Sequence, residues 1–116
     1  MLIYGKERHF KLTVGAMAKI ARMCPDGQLK QLEKIFSGGS DADNMERAAQ
    51  LIAAMSEGYE EAAAFEGAPE QNPLSIREIL SLPPAQMTLL QREAMAAFRE
   101  GQKTEIETQD VKKNAP

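Results

Sequence analysis

The sequence predicts a mainly α-helical protein, in which a short N-terminal β-hairpin packs on a small bundle of about five helices and a flexible tail follows. Two observations support this fold class. Apolar residues recur at spacings of three and four, and the 43% apolar content is rich in Ala and in seven Met residues, with 5% aromatic. The chain of 116 residues fits one domain. We therefore assign residues 1–101 to a single helical domain with its hairpin and 102–116 to a polar, flexible tail.

The hairpin is predicted from two β-favouring runs, residues 2–4 and 9–12, on either side of the polar segment 5–8. An isolated hairpin is marginally stable in water. We therefore expect this one to lie against the helices or to join another sheet edge.

Two short helices are predicted next. Thr13 can cap a helix that runs to about Cys24, where Pro25–Gly27 stops it. A second helix over 28–36 places three apolar residues on one face: Leu29, Leu32 and Phe36. Neither helix is long enough to persist alone, so packing must hold both.

The longest predicted helix begins at Ser40, with Asp41 and Asp43 in its first turn, where carboxylates complement the helix dipole. Its apolar residues form one stripe: Met45, Ala48, Ile52, Met55, Tyr59 and Ala62. Such a stripe serves the core of a monomer or the seam of an oligomer or complex equally well. The oligomeric state therefore stays open, with a homo-oligomer among the alternatives.

Two further helices are predicted on either side of Pro83-Pro84. Ser75 and Glu78 form a capping box for a short helix that ends near Leu82. A last helix over about 85–99, with Gly101 as its C-cap, carries one apolar face: Met87, Leu90, Ala94 and Phe98.

Composition argues against catalysis, metal binding and nucleic-acid binding. The formal net charge is −3, and the 14 basic residues are scattered among 17 acidic ones. His9 is the single histidine and Cys24 the single cysteine, which is too few for a zinc site. We predict a β-edge role for His9 and a buried position near a helix end for Cys24. Neither a membrane span nor a signal peptide is predicted, so we expect a soluble cytosolic protein without cofactors.

The chain has ample apolar helix surface but few side chains suited to catalysis. This combination indicates a protein that binds other proteins. The candidate partner-binding residues are taken from the last helix and from the stripe of the longest one: Met87, Leu90, Met95, Phe98, Met45, Ile52, Met55 and Tyr59. The alternative for each is a core position.

The layout of the chain over about residues 1–108 resembles the tail assembly chaperones of long-tailed bacteriophages. The segments that carry the resemblance are 10–16, 29–36, Gly58-Tyr59, 74–82, 94–101 and 105–107. None of them is a catalytic signature.

The resemblance implies a role in virion morphogenesis. Such chaperones bind the helical tape-measure protein before the tail tube polymerises, recruit the major tail (tube) protein, and are absent from the mature virion. This function places the protein in the cytoplasm of a bacterial host. Many also have a longer form made by ribosomal frameshifting, and Lys112-Lys113-Asn114 can be encoded by a slippery run of A. An ordinary basic tail is the alternative, and AAG codons there would exclude slippage.

Two other functions stay open on the sequence. A structural phage adaptor, such as a head–tail joining or minor tail protein, would remain in purified tails, where mass spectrometry would find it. A small DNA-binding regulator would give a gel shift at moderate salt. Gene order, with a tail-tube gene upstream and a long tape-measure gene downstream, would favour the chaperone.

Overall fold

The computed structural model of the protein describes the backbone of residues 1–114, and the side chains of these residues except for 33, 35, 37 and 104–114. The chain is mainly helical, with one two-stranded antiparallel sheet at its N-terminus. In chain order the strands are β1 (Leu2–Ile3) and β2 (Lys6–Glu7), and the α-helices are α1 (Val14–Arg22), α2 (Leu32–Ser37), α3 (Asp41–Phe65), α4 (Ile76–Leu80) and α5 (Pro84–Asn114). Two 3-10 turns, Pro25–Gly27 and Leu29–Gln31, join α1 to α2.

The hairpin is tighter than the sequence predicted. Its turn is Tyr4-Gly5, with φ values of 51° and 76°, and Ile3 pairs directly with Lys6. Positive φ at both central residues is the geometry of a type I′ turn, which matches the twist of the two strands. The prediction of a second strand over 9–12 was therefore wrong, because the return strand begins immediately after Gly5.

Polar contacts fix the hairpin to the helices. The Tyr4 hydroxyl donates to the carbonyl of Glu78 (2.8 Å), and Lys6 forms an ion pair with Glu60 of α3. Glu60 is 6% exposed, so the carboxylate of this ion pair is largely shielded from solvent. Arg8, expected in a polar loop, is also buried, and its guanidinium donates to the carbonyls of Ile3 and Asn72.

Three predicted helix caps are confirmed. The Thr13 hydroxyl accepts from the amide of Ala16, and the Ser40 hydroxyl accepts from that of Asp43. Ser75 and Glu78 form the full reciprocal capping box. By contrast, the helix predicted over 28–36 begins late, because Gln28 is extended and its side chain makes no capping hydrogen bond, so 3-10 geometry precedes α2.

α3 lies at the centre of the fold and packs against α1, α4 and α5. These four helices form the bundle within residues 1–114, rather than the five or so predicted, because α2 is only six residues long, although its Leu32 is buried in the core. The core is built from apolar side chains of all four, including Ile20, Ile52, Ile79 and Leu90.

An extended segment, residues 11–13, lies against both long helices. The amide of Lys11 donates to the carbonyl of Met55 in α3 (3.1 Å). A Cβ atom on Gly58 would lie 2.5 Å from the Lys11 carbonyl oxygen, and one on Gly101 would lie 2.6 Å from the Leu12 Cβ. Both glycines therefore allow the segment to approach α3 and α5 more closely than any side chain would permit.

α5 continues through Gly101 to Asn114, so the predicted helix end at residue 99 with a Gly101 cap was wrong. Gly101 is needed for its contact with Leu12 and not for ending the helix. The predicted flexibility of residues 102–116 falls largely on residues 104–116, which lie outside those whose side chains are described. The division of the chain at residue 101 stays a prediction.

Candidate protein-binding groove

Half of the eight candidate partner-binding residues lie in the core. Their exposed fractions are 4% or less: Ile52, Met55, Leu90 and Phe98. These four side chains stabilise the contact between α3 and α5, so the core alternative considered from the sequence holds for them. A partner could reach them only if the bundle opened.

Two more of the eight are half-buried and lie apart from each other. Tyr59 packs against His9, with 5.0 Å between ring centroids and an interplanar angle of 42°. Met95 lines a small hollow of about 180 Å³ with Leu29 and Phe98. Neither position offers a continuous apolar surface.

The remaining two, Met45 and Met87, meet at one groove of about 430 Å³. We call it the methionine groove, and its described lining residues are Phe36, Asp41, Asn44, Met45, Leu80, Leu82, Pro84, Met87, Thr88 and Gln91. The volume falls within the range of about 300–1,000 Å³ that is typical of ligand sites. Met45 is 58% exposed and Leu80 48% exposed, so apolar surface is open to solvent here.

The groove lies where the starts of α3 and α5 meet the end of α4. Ser40 caps α3, and Pro83-Pro84 sets the start of α5 next to it. α4 ends at Leu80. Met45 of α3 is exposed in this groove, whereas Met87 of α5 is partly buried against the core beside it.

Leu80 and Leu82 are functional candidates that sequence reasoning missed. The signal was present in α4, where Ile76, Ile79 and Leu80 occupy three of five positions. One face of so short a helix buries Ile79, which leaves Ile76 and Leu80 43% and 48% exposed. More apolar residues than one face can bury indicate a second apolar contact.

A second groove of about 380 Å³ lies between α1, α3 and α4, lined in part by Met23, Ala53 and Ile76. Its rim carries the ion pair between Lys19 and Glu57, and the hydrogen bond from Lys19 lowers the pKa of Glu57. Arg22 also lines this groove, so its lining is more highly charged than that of the methionine groove, where Asp41 is the one ionisable residue among those described.

His9 lies in an open hollow with Glu7 and Glu93. Glu7 is paired with the N-terminal ammonium group, whose hydrogen bond lowers the pKa of this carboxylate. Among the residues described, no three His, Cys, Asp or Glu side chains are grouped so as to hold a metal ion. Cys24 is buried, as predicted, and burial raises the pKa of its thiol, which disfavours the nucleophilic thiolate.

Within the described part of the chain, none of the helices combines the length and the apolar content that a membrane crossing requires. Comparison with protein-family models, with curated proteins and with solved structures finds no match to this chain.

Proposed function

We propose that this protein is a phage tail assembly chaperone that acts by binding other proteins, and that its methionine groove covers an amphipathic helical segment of the tape-measure protein. The observation that supports this most directly is the groove in which the exposed side chains of Met45 and Leu80 lie beside the partly buried Met87. The resemblance over residues 1–108 supplies the identity of the partner.

The chemistry of the groove suits a helical client. Grooves that take an amphipathic helix receive side chains spaced at three, four and seven residues along one face. Methionine side chains are unbranched and polarisable, so they adapt to different apolar surfaces. The groove is also lined by Leu80, Leu82 and Phe36, whose side chains are less flexible than those of the two methionines. A tape-measure helix that is not yet enclosed by the tail tube exposes a stripe of this kind and would aggregate without cover.

The proposal also includes recruitment of the major tail (tube) protein, a location in the cytoplasm of the bacterial host, and absence from the mature virion. The protein is not an enzyme on this proposal, because its contribution is to keep the tape-measure protein available until the tube assembles. These aspects rest on the resemblance alone.

Co-expression with the tape-measure protein of the same phage tests the proposal. Leu80→Glu places a carboxylate in the groove, whereas Leu89→Glu makes the same change on α5, outside the groove lining. The two leucines are 48% and 45% exposed, so the substitutions are matched in chemistry and burial. We expect the wild-type protein and Leu89→Glu to keep the tape-measure protein soluble, and Leu80→Glu to lose this effect. Equal behaviour of the two variants would refute the groove as the binding site.

A further inference from the structure

We infer that the helical segment bound in the methionine groove carries a Lys or Arg beside its apolar stripe, and that the carboxylate of Asp41 receives this cation. The inference rests on the proposed function, because it specifies the chemistry of the partner at the same site.

Asp41 is the only ionisable residue among the described lining residues of the groove. The other polar groups there belong to Asn44, Thr88 and Gln91, which are neutral. The described lining therefore carries one formal charge, the negative charge of Asp41. A partner segment with an acidic residue beside Asp41 would be repelled, and one with a basic residue there would be attracted.

Desolvation on binding strengthens this preference. A partner helix that covers the groove removes water from the carboxylate of Asp41. A covered charge without a counter-ion is costly, whereas a covered ion pair offsets much of that cost. Binding therefore selects segments that bring a cation.

The position of Asp41 sets the spacing within the partner. Asp41 and Met45 are four residues apart on α3, so they lie on one face about one turn from each other. A partner helix lying along this face meets both residues within one of its own turns. Its cation should then be three or four residues from the apolar side chain that contacts Met45.

Asp43 provides a matched control. It occupies the same first turn of α3 and complements the same dipole, but it does not line the groove. A Cβ atom placed on Gly39 would lie 3.8 Å from the Asp43 carboxylate and 3.2 Å from the Arg47 guanidinium, so a cation of this chain already lies close to Asp43. Asp43→Asn therefore removes a first-turn carboxylate outside the groove, and only Asp41→Asn should weaken binding of the partner.

The test begins with selection from a displayed library of helical peptides about 20 residues long, a length that supports helix formation on binding. The full-length protein is the bait. We expect the selected peptides to share an apolar stripe with a Lys or Arg three or four residues from one of its members. A selection with Leu80→Glu shows whether the peptides use the groove.

A double-mutant cycle on the best peptide then measures the pair. Asp41→Asn should weaken binding about five- to tenfold, which is the size expected for a partly screened interfacial ion pair, and Asp43→Asn should leave it within about twofold. Once the peptide cation is changed to Gln, Asp41→Asn should have no further effect.

The outcomes separate the two proposals. Peptides that need an intact groove but show no basic preference, or whose cation does not couple to Asp41, would overturn the inference and leave the proposed function standing. Peptides that bind Leu80→Glu as well as the wild type, or the absence of any enriched apolar helix, would remove the methionine groove as the site and the inference with it.

Discussion

Two regions along the α3–α5 pair are built from the same helices but are covered differently. We call the region around Gly58 and Gly101 the closed end and the region around Met45 and Met87 the open end. At the end marked by Gly58 and Gly101, the extended segment 11–13 is pressed against both helices, and its backbone is hydrogen-bonded to Met55. At the end marked by Met45 and Met87, the apolar stripes continue but the chain supplies nothing among its described residues to fill the groove between them. One end is closed by the chain itself, and the other is available to a partner.

This difference shows that helical periodicity identifies the side chains that share a face of a helix. It does not identify the elements that cover that face. Both ends carry the same stripe, yet Met55 is fully buried and Met45 is 58% exposed. The two long helices are covered by short elements, namely residues 11–13 and α4. The lengths of these elements determine how far the core extends. Substitutions at the closed end should therefore affect stability, and substitutions at the open end should affect binding.

The largest expected contrast is between two Leu→Ala substitutions. Leu90 lies on α5 and is fully buried in the core. Leu90→Ala should therefore lower the free energy of unfolding by about 2–5 kcal/mol, because apolar burial is lost and a cavity is left. Leu80 is 48% exposed in the groove, and Leu80→Ala should cost less than about 1 kcal/mol. Urea denaturation of both variants measures the contrast. Equal losses would mean that Leu80 belongs to the core.

Two Gly→Ala substitutions give the next contrast, with opposite signs. Gly58→Ala forces a methyl group against the Lys11 carbonyl, and we expect a net loss of about 2 kcal/mol even after the gain in helix propensity. Gly15 in α1 has Thr13 Oγ1 at 3.9 Å as its nearest neighbour, so Gly15→Ala should stabilise by about 0.4–1 kcal/mol.

Thermal melting of the two glycine variants checks the signs. The predicted destabilisation is contradicted if the Gly58→Ala variant melts at or above the melting temperature of the wild type. That result would show that residues 11–13 do not hold the closed end in the way the contact with Gly58 indicates.

The smallest expected effect concerns pH at the second groove. The hydrogen bond from Lys19 lowers the pKa of Glu57 below its ordinary value, so this pair contributes stability above the unfolded-state pKa and loses it as the pH falls through the folded-state pKa. Because Glu57 is about a third exposed, the contribution should be below about 1 kcal/mol. Lys19→Ala should reduce the loss of stability between pH 7 and pH 3. An unchanged pH profile would show that the pair contributes nothing measurable.

The sequence predicted the helical fold class and the caps at Thr13, Ser40 and Ser75 because these depend on local patterns. It misplaced the second strand, because a tyrosine at positive φ is uncommon and residues 9–12 have the stronger β propensity. It read Gly101 as a helix cap, because a glycine that ends a helix and one that admits a neighbouring chain are the same residue in a sequence.

For the candidate site, sequence spacing identified Met45 and Met87 but could not separate them from Ile52, Met55, Leu90 and Phe98, which lie on the same faces and are buried. That separation depends on where α4 ends and on where Pro83-Pro84 returns the chain to α3. These are properties of tertiary packing, and they cannot be predicted from the periodicity of the sequence.

The central claim, that the open end of the α3–α5 pair binds the partner, can be tested directly by NMR with isotope-labelled methionine methyl groups. The seven methionines report on different surfaces: Met45 and Met87 line the methionine groove, Met23 lines the second groove, and Met55 is in the core. Adding the tape-measure protein should shift the signals of Met45 and Met87 and leave that of Met55 in place. Shifts at Met23 with none at Met45 and Met87 would contradict the account.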